Sequence, residues 1–306
     1  MNRTVKKKKE KQLIHRFKPN EIDPKTGQKR HDLINKVIVV LGPRNSGKSF
    51  LIKDIMTLIQ DIPVCKIING TEEMTGHYAS FVPSVCIHEE YKTDTIKNFV
   101  QRQKEICKKV KNEPDYRNVD KRGLLLLDDL AYDKSWTKQK DIRFIFMNGR
   151  WAGITFIMAS QEPMGMPPEL RSNIDYVFIC NQNNYKDRDK IYDNYVSGFK
   201  NKKEFNKVLD KCTENYSVVV INKTARSNKM EDIVFHYKAK EHPNFRFGCI
   251  SLWMYQAKKF DPYYEHKKKL LEYQREQEEN RKKQYKQKRE ESVIYGGDNL
   301  EVSMVP

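Results

Sequence analysis

Apolar runs of strand type alternate with segments of helical periodicity along most of the chain. Residues 36–41 form the first such run, and residues 50–60 have apolar side chains three and four positions apart, which predicts a helix. Further strands are predicted at residues 63–69, 82–88, 122–130, 154–160 and 174–180, and further helices at residues 93–111, 136–151, 184–196 and 202–212. Because strands that alternate with helices form parallel sheets covered by helices, we predict an α/β protein with a mostly parallel central sheet.

The pattern changes twice towards the end of the chain. Residues 216–221 and 232–237 are rich in β-branched and aromatic residues, and they predict a late β-hairpin across the polar loop 222–229. That basic loop either faces DNA or is simply solvated. Beyond about residue 256, Lys, Glu, Gln and Arg dominate, and the apolar residues are too sparse for any helix face to bury much surface. We expect a solvent-exposed charged helix at residues 256–306 with a disordered end, or alternatively a tail that binds nucleic acid or a protein.

The net charge of the chain indicates which class of molecule it binds. Lys and Arg number 58 against 41 Asp and Glu, a formal net charge of +17, which suggests a polyanion and first of all nucleic acid. Residues 1–30 are polar and contain a run of four lysines and several turn-forming residues, so they predict a flexible basic arm. The arm is open to three roles: a solvated segment, a DNA contact or a nuclear import signal. The α/β domain is predicted between this arm and the charged C-terminal tail, at residues 31–255.

The cysteines and the apolar content exclude several classes of protein. The six cysteines are scattered without a C-x-x-C pair, so zinc binding has no support and a reduced intracellular protein is expected. No apolar run approaches the roughly 18 residues of a membrane-spanning helix. The basic start of the chain is not followed by an apolar segment, so a secretion signal is not predicted either.

The turn between the first predicted strand and helix has the spacing G-x-x-x-x-G-K-S at residues 42–49. Glycines at the two ends of such a turn let successive N–H groups converge on a phosphate. Lys48 would reach the β- and γ-phosphates of a nucleotide, and the Ser49 hydroxyl would hold Mg²⁺. The alternative is a surface turn that happens to contain glycine. The predicted nucleotide-binding residues are Gly42, Pro43, Arg44, Asn45, Ser46, Gly47, Lys48, Ser49 and Phe50.

Two acids end the apolar run at residues 122–130, and a glutamine follows the next predicted strand. At the carboxyl edge of a parallel sheet, Asp128 would hold Mg²⁺ through water and Asp129 would polarise the attacking water. The alternative for Asp128 is a helix-capping residue at a strand end. Gln161 is placed to contact the γ-phosphate and sense its presence, unless it is an ordinary polar group in a turn. Two adjacent acids favour hydrolysis of the nucleotide over binding alone.

Further segments follow these motifs in a fixed order, at residues 127–129, 146–151, 154–157, 161–163 and 167–178. Together they resemble the DNA-packaging ATPases of nucleocytoplasmic large DNA viruses, the poxvirus-type branch of the FtsK-HerA superfamily of P-loop NTPases. The resemblance covers roughly residues 37–237 and is most specific at residues 124–178. It implies a RecA/ASCE-like P-loop fold. Two positions depart from the family pattern: Trp151 stands where His is common, and Asp129 stands where relatives usually have Glu.

The resemblance also implies a function. It implies an ATP-driven, Mg²⁺-dependent motor that assembles as a homo-oligomeric ring and moves double-stranded DNA into a preformed capsid, with capsid or portal-vertex proteins as partners. By analogy Asp128 is the Walker B acid and Gln161 the sensor. An arginine finger that reaches the neighbouring subunit is expected, with Arg150 as the first candidate and Arg171 as the second; a structural ion pair is the alternative for each. The implied location is the virus factory in the host cytoplasm, with the virion as a second location.

The same sequence motifs also occur in proteins with other functions. A helicase or DNA pump of the same superfamily would use the same chemistry, and a nucleotide-gated scaffold would bind ATP without turning it over. A GTPase switch would need the base-reading motif N-K-x-D, and the nearest match, at residues 222–225, lacks the acid. Guanine specificity is therefore not expected.

Overall fold

One sheet of nine strands organises the part of the chain that the computed structural model describes, which is residues 14–20, 32–130, 135–242 and 245–260 with helical positions 273, 276, 277 and 279–284. The strands are β1 His15–Arg16, β2 Val37–Leu41, β3 Val64–Asn69, β4 Ile87–His88, β5 Gly123–Asp128, β6 Ile154–Ser160, β7 Tyr176–Ile179, β8 Ser217–Asn222 and β9 Val234–Lys238. Their order is β1-β9-β8-β7-β2-β6-β5-β3-β4. The pairs of β8 with β7 and with β9 are antiparallel and the other pairs are parallel. The prediction of a mostly parallel α/β sheet with a late hairpin is confirmed.

Nine α-helices have both ends within the described residues. They are α1 Lys48–Leu58, α2 Glu72–Thr75, α3 Thr93–Asn112, α4 Lys140–Asn148, α5 Pro168–Arg171, α6 Tyr185–Tyr195, α7 Lys202–Cys212, α8 Met230–Ile233 and α9 Ile250–Phe260. Short 3-10 helices occur at Ser84–Cys86, Pro114–Tyr116, Ser135–Lys138 and Glu214–Tyr216. The longer predicted helices are present with small shifts at their ends.

The core has two layers, one on each face of the sheet. Alternate residues of β2 point to opposite faces, so that Val39 packs in one layer and Ile38 and Val40 pack in the other. Helix α1 covers the second layer with Ile52 and Ile55, whereas α3, α4, α6 and α7 contribute to the first. Because both faces are buried, the central strands are apolar at nearly every position, which is the pattern that predicted them.

The register of the parallel strands brings four strand ends to one edge. Leu41 pairs with Ser160 at the ends of β2 and β6, and Asn69 pairs with Asp128 at the ends of β3 and β5. The segments that follow these strands therefore start next to one another. This edge is where ligands of open α/β sheets bind.

The prediction of a flexible arm over residues 1–30 does not hold for residues 14–20. Strand β1 pairs in parallel with β9 at the edge of the sheet. Phe17, only 6% exposed, packs against aromatic rings of β7 and β9 with ring centroids 5.5 to 6.2 Å apart. The Phe17 side chain, the backbone pairing of β1 and a hydrogen bond from the Asn20 side-chain amide to the Leu58 carbonyl oxygen anchor this otherwise polar segment. The rest of the arm, residues 1–13 and 21–30, lies outside the described residues.

Three predicted elements differ in detail. The strand predicted at residues 82–88 is mostly the 3-10 helix Ser84–Cys86, and only the two residues of β4 pair with the sheet. The helix predicted at residues 136–151 is interrupted at Gln139, which has an extended backbone, because Trp136 before it turns into the core. The strand predicted at residues 232–237 begins with the short helix α8.

The chain separates into two compact units, Met1–Leu252 and Trp253–Pro306. In the second unit the described positions between 273 and 284 are helical and exposed. The predicted disorder at residues 292–306 lies outside the described residues. No helix in the described part of the chain combines the length and the apolar character that crossing a membrane requires.

Candidate active site

An open cavity of about 460 Å³ lies at the carboxyl edge of the sheet. Lys48 and Ser49 line it from the start of α1, Asp128 and Asp129 line it from the end of β5, and Gln161 lines it from the end of β6. These five residues come from three separate segments of the sequence. The structure brings all of them to one cavity.

Two backbone conformations shape the loop at residues 42–49. Asn45 and Gly47 have positive φ angles of 61° and 87°, which turn the chain sharply before α1 begins. Gly42 is needed for a different reason: a Cβ there would lie 2.7 Å from the Cβ of Cys180. The first N–H groups of α1 have no intrahelical partner and face the loop, so the segment is suited to bind an anion.

The Lys48 ammonium is held on the loop itself. Its Nζ donates a hydrogen bond to the Pro43 carbonyl oxygen at 2.7 Å. Burial lowers the pKa of Lys48 from its ordinary value, and the nearby carboxylates of Asp128 and Asp129 oppose that shift. The cation is therefore placed at the wall of the cavity opposite two acids.

Asp128 is a buried carboxyl group with a defined orientation. Burial raises its pKa, whereas the hydrogen bond from Tyr78 and the charge of Lys48 oppose the rise. The Tyr78 hydroxyl donates to Asp128 Oδ2 at 2.6 Å. Burial and the neighbouring Asp128 raise the pKa of Tyr78 well above its ordinary value, so its hydroxyl stays protonated and remains a donor. Tyr78 was not among the predicted site residues.

A second buried acid holds Tyr78 in place. Glu72 accepts hydrogen bonds from the backbone N–H groups of Tyr78 and Ala79, at 3.2 and 2.7 Å. The side-chain amide of Asn69, at the end of β3, donates to the same carboxylate at 2.9 Å. These hydrogen bonds hold the segment that follows β3 against the end of β3, next to β5. The only sequence signal for this arrangement is an asparagine at the end of an apolar run.

Asp129 and Gln161 form a direct pair. Gln161 Nε2 donates to Asp129 Oδ1 at 2.7 Å. Asp129 has a φ of +53°, which is uncommon for a residue other than glycine. The hydrogen bond joins the predicted γ-phosphate sensor to the predicted water-polarising acid.

The two candidate arginine fingers lie in different surroundings, and neither lines the cavity. Arg171 is 7% exposed, and its Nη1 donates to the carbonyl oxygen of Met166 at 3.1 Å. Arg150 is exposed. It lies between α4 and β6, at the amino edge of the sheet, opposite the cavity. Trp151 beside it is 77% exposed.

The residues present fit a nucleotide with Mg²⁺. Mg²⁺ bound with a nucleotide usually takes only one or two ligands from the protein and the rest from phosphates and water. The Ser49 hydroxyl and the Asp128 carboxylate, both on the cavity wall, supply that number. The phosphate loop and Lys48 supply the donors that a triphosphate needs.

One protein family and several known proteins resemble this chain in sequence. The model of the family described as Poxvirus A32 protein matches residues 28–244. Protein L437 of Acanthamoeba polyphaga mimivirus is 34% identical over 244 residues, which cover 78% of this chain and 86% of that protein. Protein 088R of Invertebrate iridescent virus 3 is 32% identical over 256 residues, which cover 82% and 92%.

A solved structure shares the fold. B204, the DNA-packaging ATPase from Sulfolobus turreted icosahedral virus, superposes with a TM-score of 0.50 at 15% sequence identity. The superposition covers 68% of this chain and 100% of that one. At this identity the likeness concerns the fold, which is that of a P-loop NTPase.

Proposed function

The chain belongs to the poxvirus A32 protein family, and from that membership we propose that it is an ATP-hydrolysing motor that moves double-stranded viral genomic DNA into preformed capsids. The observation that supports this most is the meeting of Lys48, Ser49, Asp128, Asp129 and Gln161 around one cavity. Its place of action would be the virus factory in the host cytoplasm.

Each residue of the cavity has a distinct task in this proposal. The N–H groups of residues 42–49 bind the phosphates, and Lys48 exchanges its bond to Pro43 for contacts with the β- and γ-phosphates. Ser49 and Asp128 would hold Mg²⁺, which neutralises phosphate charge when it is bound. Tyr78 keeps the Asp128 carboxylate oriented towards that position.

Asp129 would act on the attacking water. Its carboxylate accepts a proton from the water as the water oxygen bonds to the γ-phosphorus and the bond from that phosphorus to the β–γ bridging oxygen breaks, so that ADP leaves with the bridging oxygen. The hydrogen bond from Gln161 orients this carboxylate. Gln161 can contact the γ-phosphate and Asp129 at the same time. Departure of the γ-phosphate would therefore change the position of Gln161 and its hydrogen bond to Asp129. Asp129 is one methylene shorter than the usual Glu, and its backbone has a positive φ of 53°.

A complete site would use an arginine from a neighbouring subunit. We favour Arg150, because it is exposed at the edge of the sheet opposite the cavity, whereas Arg171 is buried and donates to the backbone of its own subunit. Subunits arranged head to tail in a homo-oligomeric ring would bring Arg150 of one subunit to the cavity of the next. An arginine in that position is worth roughly 10³ to 10⁵ in rate.

The DNA contacts of the motor are expected to be made to phosphates. A net charge of +17 supports binding to a polyanion without regard to sequence. Binding should then weaken by about one log unit per log unit of salt for each phosphate that is neutralised. Capsid or portal-vertex proteins are the further partners that packaging requires.

The experiment compares wild type with Lys48→Ala in two assays. Wild type should hydrolyse Mg-ATP faster when duplex DNA is added, and it should displace the third strand of a DNA triplex without separating the duplex. Lys48→Ala should lose both activities by about a hundredfold or more, since it lacks the cation that contacts the transferred phosphoryl group. Lys207→Ala, which removes an exposed lysine of α7, is the matched control and should keep them.

Three results would contradict the proposal. An assembled ring whose rate of ATP hydrolysis does not change when duplex DNA is added would exclude a translocating motor. Strand separation in place of triplex displacement would indicate a helicase, and binding of ATP without turnover would indicate a scaffold.

A further inference from the structure

A second cavity, of about 390 Å³, lies on the other side of the phosphate loop. It is lined by loop residues 43–46, by two asparagines that follow β7, and by residues 213–216 before β8. Arg44 and Asn45 line this cavity and also the cavity that contains Asp128. The loop is therefore a ridge with a cavity on each side. Acids and two cations line the first cavity, whereas Arg44, Glu214, polar neutral groups and an aromatic ring line the second.

The aromatic ring belongs to Tyr216, and it lies against the loop. A Cβ on Gly47 would come within 3.1 Å of Tyr216 Cδ1, so the ring is in contact range of the glycine. Although it is a large aromatic residue, Tyr216 is 71% exposed. Most of the ring is available to another molecule.

The backbone that presents this ring is in a rare conformation. Asn215 and Tyr216 both have positive φ angles, of 53° and 60°. Two consecutive residues other than glycine in this region are costly, and such conformations cluster at ligand sites. The buried Thr213 anchors the segment by donating from Oγ1 to the Leu209 carbonyl at 2.7 Å.

We propose that this second cavity binds the nucleoside end of the nucleotide, with the ring of Tyr216 stacked on the base. This rests on the proposed function, because the loop must hold the phosphates on its other side. Aromatic rings and bases stack through their flat faces, and the side-chain amides of Asn181 and Asn183 can donate and accept hydrogen bonds at a base edge. A nucleotide that crosses the loop would then fill both cavities.

The test compares two ligands that share phosphates but differ in the nucleoside. Calorimetry on the full chain measures the affinity of Mg-ATP and of Mg-tripolyphosphate for wild type, Tyr216→Ala and Tyr216→Phe. Tyr216→Ala should weaken Mg-ATP by roughly tenfold, as loss of a stacking ring does, and leave Mg-tripolyphosphate within about twofold of wild type. Tyr216→Phe should retain the affinity for Mg-ATP. Tyr273→Ala removes an exposed tyrosine of the C-terminal unit and should change neither ligand.

A second variant gives a readout that does not depend on loss of a side chain. Tyr216→Trp places a fluorescent ring at the same position, and its emission above the wild-type background should be quenched by Mg-ATP but not by Mg-tripolyphosphate. Equal quenching by both ligands, or none by either, would overturn the assignment of the base.

The outcomes separate this inference from the proposed function. If Mg-ATP binds in a Lys48-dependent way but Tyr216→Ala binds it as wild type does, only the nucleoside site is wrong. If Tyr216→Ala weakens both ligands equally, the ring supports the loop and does not stack on a base, which also overturns the inference. If wild type binds neither ligand, both proposals fail.

Discussion

Two neighbours of Asp128 favour the ionised form that a metal ligand requires. A carboxyl group this deeply buried prefers its neutral form, yet a metal ligand must be ionised. The Tyr78 hydroxyl and the Lys48 ammonium both favour the ionised form. The site therefore contains its own compensation for burial of the acid.

Tyr78→Phe should reduce ATP turnover by about tenfold and raise the Mg²⁺ concentration needed for half-maximal activity. The variant removes the hydrogen bond to Asp128 Oδ2 and leaves the ring in place, and loss of a bond that orients a metal ligand typically costs 10- to 100-fold. The measurement is a Mg²⁺ titration of steady-state ATPase activity. Tyr237→Phe is the matched control, because its hydroxyl donates to Asp54, a buried carboxylate that does not line the cavity. A Mg²⁺ dependence shifted equally in both variants would contradict the orienting role.

Asp128→Asn should abolish activity and at the same time raise the free energy of unfolding at pH 7 in the absence of nucleotide. Because folding raises the pKa of Asp128, the unfolded chain loses this proton first as pH rises, so the carboxyl group costs stability at neutral pH. The asparagine oxygen can still accept from Tyr78. The gain should shrink as pH falls through the raised pKa of the folded state and vanish below about pH 3, where the carboxyl group is protonated in both states.

Urea titrations at several pH values measure this difference. Asp115→Asn removes the same charge at an exposed position and should show no such pH-dependent gain. A variant at residue 128 that is less stable than wild type at pH 7 would mean that the ion pairing outweighs the cost of burial.

The residues of the cavity could be predicted from sequence only where a short motif contains them. The loop at residues 42–49 and the acids after an apolar run are local patterns, and strand order then brings them together. Tyr78 is fifty residues from its partner Asp128, and nothing in the local sequence distinguishes it from other tyrosines. Its contact depends on how the segment after β3 folds back, which is set by hydrogen bonds from the backbone N–H groups of Tyr78 and Ala79 to the Glu72 side chain.

At the scale of helices and strands, the sequence predicts the elements that are buried on both faces and does not delimit the short elements at the edges. Strands β2, β5 and β6 are covered on both faces, so their apolar runs are long and unambiguous. The edge strands β1 and β4 have only two residues each, and their pairing depends on neighbours distant in sequence. The 3-10 helix at Ser135–Lys138 could not be separated from α4 by its sequence pattern, since the extended residue Gln139 that divides them lies within one helical periodicity.

Phe17→Ala should lower the free energy of unfolding by about 3 kcal/mol, the cost of removing a large buried aromatic side chain. The ring packs 5.5 Å from Tyr176 and 5.8 Å from Phe178, so its loss leaves a cavity against β7. Chemical denaturation measures the change. His15→Ala, at an exposed position of β1, should have little effect. If the two variants unfold at the same denaturant concentration, residues 14–20 are not part of the domain core.

At the scale of the whole molecule, the two edges of the sheet differ in chemistry. The carboxyl edge contains the cavity with Asp128 and Asp129, and the amino edge presents the exposed Arg150 and Trp151. The Arg150 guanidinium on one edge and the Asp128 and Asp129 carboxylates on the other would be complementary if identical subunits joined head to tail in a ring. Each complete site would then be made from two subunits.

Mixing two inactive variants tests this arrangement directly. Lys48→Ala should be inactive because its own cavity lacks the cation that contacts the transferred phosphoryl group, and Arg150→Ala should lose activity by on the order of 10³ because it supplies no arginine to its neighbour. In a mixed ring, a cavity of the Arg150→Ala subunit can adjoin a Lys48→Ala subunit, which restores one complete site at that boundary. The mixture should therefore hydrolyse ATP well above the sum of the two variants measured apart. Arg143→Ala, which removes a half-exposed arginine paired with Glu169, is the control and should stay active alone. No recovery on mixing, with intact rings present, would mean that Arg150 acts within its own subunit or only in its structure.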